Sequence, residues 1–266
     1  MKKFLKIFLV VIFCFSSLCL AAQADFNITL DPGHGAEANG AQAVYDGKLV
    51  NEKELNLKLA LFIKKELANY KTAKDGKVNV YLTRRENGVG NPSLENPVYI
   101  AKYNRSDVLV SLHCNARPSP DKPLRGAMVL VTSSNYHNLY NKEEKLARLI
   151  LQELNNIGVP TTQNICSPEK VRFNKRSRRP KFELKEGLLR RLSNNGYHYP
   201  NGDLGDYYGI IRQGTLKSIP TVLIEHCHLD FEDDYKRFLS SDDKLLELAR
   251  ADVRAIARCY NLVRFQ

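Results

Sequence analysis

Short apolar runs and longer stretches of helical periodicity take turns along this chain. The run at 28–30 breaks at Asp31-Pro32, because proline offers a sheet no donor and turns the residue before it away from helix. Over 51–70, Leu55, Leu59, Phe62, Ile63 and Leu67 recur on one side, the spacing of a helix packed on a sheet. An Asp75-Gly76 turn precedes alternation over 78–83, which predicts a strand. Pro97 is placed to open a short helix carrying Ile100 and Ala101. Residues 107–113, DVLVSLH, are apolar on both faces, as a central parallel strand would be. Further along, the pattern predicts a strand over 127–132 and a helix over 142–156 with Leu146, Leu149, Ile150 and Leu154 inward. Regularity returns at 209–212, then in a second buried strand over 221–225 (TVLIE), and closes with a helix over 241–260. Residues 36–48 and 91–97 read as polar loops, and no repeat is present. Strands alternating with helices predict an α/β fold: one domain, with an open, mostly parallel twisted sheet and helices on both faces.

The first residues do not belong to that pattern. Lys2, Lys3 and Lys6 precede an apolar run at 7–20, and Ala22-Gln23-Ala24 gives a small-x-small cleavage site. The run is short for a membrane span, so 1–24 reads as a signal peptide and 25–266 as an exported domain, in the periplasm, cell wall or medium. Removing three lysines and no acids lowers the formal charge from +11 to +8. Outside the cell a basic protein meets anionic wall polymers and lipid headgroups, and the export signal sets nucleic acid aside as a partner. Four cysteines remain, Cys114, Cys166, Cys227 and Cys259; none has CxxC spacing, so a zinc–thiolate site is disfavoured and buried free thiols are the preferred reading.

The chemistry gathers at strand ends. The stretch ITLDPGHG (28–35) carries His34 between two glycines that allow strained backbone angles and leave space beside an imidazole. His113 ends the central strand, Glu225 ends the last long one, and Glu52 opens the helix after the His34 loop. Ligands of open α/β sheets bind beyond the carboxyl ends of the strands. Two histidines and a carboxylate with a fourth position free are the ligand set of a hydrolytic zinc site, and a further glutamate off the metal can carry the proton. The bland alternatives are a helix-start carboxylate at Glu52, a core histidine at 113 and a buried ion-pair partner at 225.

Four blocks in order, DPGHG, EKELNL, SLHCNA and VLIE, resemble the signature blocks of zinc-dependent N-acetylmuramoyl-L-alanine amidases, bacterial cell-wall hydrolases that cut between the glycan and its stem peptide. The resemblance runs from about 28 to 259 and is thinnest over 157–204. It implies zinc held by His34, Glu52 and His113, with Glu225 as the catalytic glutamate and peptidoglycan as substrate. The family's carboxylate heads an E-K-x-x-N-L block, which selects Glu52 over Glu54, and a helix turns about 200° between positions two apart, so only one of them can face a metal. A zinc peptidase acting within the stem peptide, or a non-catalytic wall-binding module, are the competing functions.

Two departures from the family stand out. His226-Cys227-His228 replaces the usual Leu-Gly-Phe; alternation sends His226 to the face opposite Glu225, while His228 is a candidate to shape the cleft. The stretch 157–204 carries ten basic residues between Lys170 and Arg191. Some family members carry there a helix that covers the zinc until a regulatory partner protein removes it, and 181–192, with Glu183 and Glu186, is a candidate for one. A mobile basic loop that attracts anionic wall polymer is the preferred reading.

Overall fold

The computed structural model describes residues 24–88, 96–117 and 125–265. The signal peptide expected at 1–24 lies, but for Ala24, outside the described residues, as does most of the loop at 91–97. Strand β1 (Phe26–Pro32) leads into a hairpin, β2 (Gln42–Tyr45) and β3 (Lys48–Asn51), and then helix α1 (Glu52–Leu67). Next come β4 (Tyr70–Thr72), β5 (Val78–Leu82), α2 (Asn96–Tyr103), β6 (Val108–Asn115), β7 (Met128–Leu130) and α3 (Tyr140–Asn156). Five short strands follow: β8 (Ile165–Cys166), β9 (Lys170–Arg172), β10 (Arg178–Pro180), β11 (Phe182–Lys185) and β12 (Leu188–Arg191). The chain ends with α4 (Gly209–Leu216), β13 (Thr221–His228), a single turn α5 (Glu232–Asp234), α6 (Asp242–Tyr260) and β14 (Leu262–Arg264).

One eight-stranded sheet has the order β5-β1-β6-β13-β7-β12-β11-β8. Its first four strands are parallel; β7 runs antiparallel to β13, and β12 is parallel to β7. The alternation within the buried strands explains the layers. Ile28, Val110, Leu112, Val222 and Ile224 face α1, α3 and α6, whose Leu59, Ile150 and Ile256 complete the larger core. Leu109 and Leu223 face the other way, against Val98 of α2 and Ile210 of α4. Ser241 caps α6 by accepting from the Lys244 amide, and Asn261 closes it in the left-handed conformation.

The polar stretch 36–48 is partly ordered as the β2–β3 hairpin, fixed where Tyr45 stacks on Tyr235 at 3.9 Å and donates its hydroxyl to the Leu229 carbonyl. The larger correction concerns 157–204. Residues 181–192 form neither a helix nor an irregular loop but the β11–β12 hairpin, which extends the central sheet. Its turn is Glu186-Gly187, both at positive φ (51° and 77°), the conformation a two-residue hairpin requires. Leu184, Leu188 and Leu189 are buried, so the apolar positions that suggested a helix serve a sheet.

Candidate metal centre and active site

The His34 turn is held from below. Asp31 accepts from Thr83 and Ser111 at 2.7 Å each. Arg84, almost wholly buried, donates to the carbonyls of Pro32 (2.9 Å), Gly33 (3.0 Å) and Lys53 (2.7 Å), tying the turn to the start of α1. His34 itself sits at φ 65°, a left-handed angle uncommon outside glycine and one that marks functional turns.

Glu52 is the hub. His34 Nε2 lies 3.0 Å from its Oε2, and His113 Nδ1 lies 2.9 Å from its Oε1. Amides of Ala41 (2.7 Å, to Oε2) and Cys114 (3.1 Å, to Oε1) donate to the same carboxylate, as does Asn56 Nδ2 at 3.2 Å. The two imidazoles meet edge to face, 5.0 Å between centroids. One ligand atom from each of His34, Glu52 and His113 can be chosen so that all lie within 4.8 Å of one another, a group that could hold a metal ion. Imidazole nitrogens with a carboxylate oxygen are donors suited to zinc.

Two glycines make room for this. A Cβ on Gly33 would stand 2.2 Å from Cε1 of His113, and one on Gly40 would stand 2.4 Å from Oε2 of Glu52. The space at Gly33 therefore serves His113 rather than His34. Gly33→Ala should displace the His113 ring, at about 1–3 kcal/mol of stability, and weaken zinc retention in equilibrium dialysis; unchanged retention would contradict this packing.

Glu225 and His113 are register partners on β13 and β6, so their side chains share a face. Both line a cleft of about 440 Å³ with His34, Glu52, Tyr208 and Ile210. Glu225 Oε2 is buried with no hydrogen-bond partner. Burial pushes the Glu225 carboxyl up to about 7, countered only in part by the charge of His113. At Glu52 burial also raises the carboxyl, but hydrogen bonds from His113 and His34 override it and hold the group well below the usual range. Burial pulls His113 down, and the hydrogen bond to Glu52 reverses this, lifting it to about 9.

The raised Glu225 carboxyl has a consequence for the metal-free protein. Folding then favours the protonated form, so stability is full below the ordinary pKa of 4.5 and is lost as pH rises through about 7. The loss is on the order of 1–3 kcal/mol. Glu225→Gln should therefore melt with wild type at pH 4 and above it at pH 8 when both are metal-free. Equal melting at both pH values would place the carboxyl in its ordinary range.

The other candidates fall outside the cleft. Glu54 is not among the cleft residues; its carboxylate accepts from Asn51 at 3.3 Å. His226 does face away from Glu225: its Nε2 lies 2.8 Å from Asp252 of α6 and its Nδ1 3.1 Å from the His113 carbonyl. Both neighbours are acceptors, and the ring bridges β6 to α6. His228 does not shape the cleft; it is 1% exposed, beside Asp234. The four cysteines among the described residues are free, and Cys166 is exposed, contrary to the expectation of burial; Cys114 and Cys227 are buried neighbours whose hydrogen bond raises the Cys114 thiol. Sequence reasoning missed Arg84, Asn56 and Tyr208. A pair of arginines directly after an apolar strand was the one available signal for Arg84.

Comparison with known proteins completes the picture. The sequence model of the N-acetylmuramoyl-L-alanine amidase family matches residues 28–258. No curated protein sequence matches the chain. Among solved structures, the amidase Ami1 from Mycobacterium smegmatis superposes with a TM-score of 0.60 at 19% identity, over 89% of this chain and 97% of that one. The CwlD amidase from Clostridioides difficile, solved in complex with the GerS lipoprotein, gives 0.59 at 20%, over 89% and 98%. Cwp6 from Clostridium difficile gives 0.61 at 20%, over 88% of this chain, which spans only 29% of Cwp6. At these identities the superpositions establish the shared α/β fold, while the family match covers nearly the whole chain from β1 to α6. The chain belongs to the N-acetylmuramoyl-L-alanine amidase family, hydrolases of peptidoglycan that act outside the cytoplasm.

Proposed function

We propose that this chain cleaves the amide between N-acetylmuramic acid and L-alanine with zinc held by His34, Glu52 and His113 and with Glu225 as the proton carrier. The observation that carries the reading is one cleft in which the His-Glu-His group faces a glutamate with an unpartnered, buried oxygen. An orphaned carboxylate oxygen is unfavourable in a finished core and useful where a water must be deprotonated. Zinc, when bound, supplies a Lewis acid that acidifies water and polarises the scissile carbonyl. Glu225 accepts the proton of the attacking water and returns it to the departing L-alanine nitrogen. Glu52 balances the charge of the site while its five hydrogen-bonding neighbours fix its orientation. His226 holds the backbone of His113 in register from the opposite face.

The export signal at 1–24 fits this function, since the substrate lies outside the membrane. A regulatory protein partner is part of the reading, supported by the lipoprotein complex of the related CwlD fold. The cleft argues against a wall-binding module without activity, for which the unpartnered Glu225 oxygen would have no use. Chelation should abolish hydrolysis and added zinc should restore it; full activity after exhaustive metal removal would end the proposal.

A further inference from the structure

A second cavity, of about 250 Å³, lies between the stretch where family resemblance is thinnest and the segment that joins β7 to α3. Its walls are Ser133, Tyr140, Arg179, Pro180, Glu183, Arg190 and Leu192. It is at the opposite end of the sheet from the amidase cleft. Met128 at the start of β7 pairs with Glu225, and β7 runs away from that end toward Ser133. No wall residue is shared between the two cavities.

Polar side chains on these walls are held in place from behind. Ser133 is 2% exposed, and its amide donates to the buried Asp206 carboxylate at 2.7 Å. Arg190 Nε is buried and unpartnered, although the same guanidinium stacks over Tyr140 at 3.9 Å and reaches Glu144 at 2.9 Å. Arg179 is fixed from behind, stacked over Phe173 at 3.9 Å and donating one N–H to the Ser133 carbonyl. No carboxylate among the described residues pairs with Arg179. The cavity is thus flanked by two guanidiniums, each pre-oriented by stacking on an aromatic ring. Guanidinium forks match the oxygens of a phosphate group. The one acid on the wall is Glu183, which is exposed and stands cross-strand from Arg190.

We propose that this cavity is a binding site for a phosphate group, distinct from the amidase cleft. The exposed cations nearby, Arg172, Lys175, Arg176 and Arg178, line a surface depression on the β9–β10 hairpin. They offer a track along which a chain of phosphodiesters can lie with one phosphate seated in the cavity. The site thus goes beyond the amidase reaction and gives this insertion a ligand of its own. Free phosphate and a phosphodiester wall polymer share the chemistry, and experiment separates them.

The test is calorimetric titration of the zinc-loaded full chain with inorganic phosphate at constant ionic strength. Saturable one-to-one binding is expected. Arg179→Gln should weaken it at least about tenfold, the scale of a lost charge-assisted contact. Glu183→Gln, an exposed change that leaves folding intact, should tighten it about threefold by removing a like charge. Opposite signs in these two variants are the signature of the site. Absence of saturable binding, or binding that both variants leave alone, overturns the proposal. In a second arm, oligo(glycerol phosphate) competes with inorganic phosphate. Displacement at a lower phosphate-equivalent concentration, reduced by salt, identifies a wall polymer as the source; displacement only at parity identifies the free anion. Muropeptide hydrolysis is not a readout here, so failure of this site leaves the amidase reading standing.

Discussion

Glu225→Gln should retain zinc and the native fold and lose turnover by about 10²–10⁴-fold, the contribution of a positioned general acid–base group. The geometry makes this substitution clean. Glu225 is not part of the His-Glu-His group, so metal content should not change. Its Oε2 has no hydrogen-bond partner to lose, so an isosteric amide breaks no internal contact. The amide cannot accept a proton from water at neutral pH, and the loss should therefore fall on kcat more than on KM. The same change should raise the stability of the metal-free protein at pH 8, because a raised carboxyl is a liability to folding there. Activity and stability are then expected to move in opposite directions, as they do when a site is kept strained for function. Wild-type turnover in the variant would remove Glu225 from the chemistry.

Glu52→Ala should act through the metal instead. The carboxylate touches both histidines and accepts from three further donors, so its removal leaves His34 and His113 without their common partner. It also strands buried donors at Cys114 and Asn56, each unmet group worth about 1–3 kcal/mol. Zinc should be lost on dialysis, with activity gone and melting lowered even in the metal-free state. Glu54→Ala, two residues along the helix and outside the cleft, should leave zinc content and activity near wild type. Metal loss in Glu54→Ala with retention in Glu52→Ala would show that the wrong carboxylate carries the site.

How far these features were legible in the sequence depended on whether the signal was local. The central strands at 108–115 and 221–228 and the helices over α1, α3 and α6 were visible, because each buries a face with its own period. The strand at 221–225 continues through His226-Cys227-His228, since these side chains are buried rather than turned into a loop. The hairpin at 182–191 was misread because Leu184, Leu188 and Leu189 suit either a helix or a strand over so short a span. The deciding residues were Glu186-Gly187, a turn whose chemistry is weaker than Asn-Gly. That His34, Glu52, His113 and Glu225 meet in one cleft could be anticipated, since each stands at the end of a recognisable element and in a block that resembles the family's. The residues that support them could not. Arg84, Asn56 and Asp252 act through contacts set by the folded chain, and nothing in their local sequence announces a carbonyl or an imidazole waiting across the sheet.

The central claim is the bond that is cut, and the measurement that reaches it is mass spectrometry of muropeptides after incubation with the zinc-loaded protein. A stem peptide released with a free L-alanine amino group, together with glycan bearing a free lactyl carboxylate, is the expected result, and it should vanish on chelation. Products cleaved between amino acids of the stem peptide, with the lactyl amide intact, would contradict the account and make the same metal centre a peptidase.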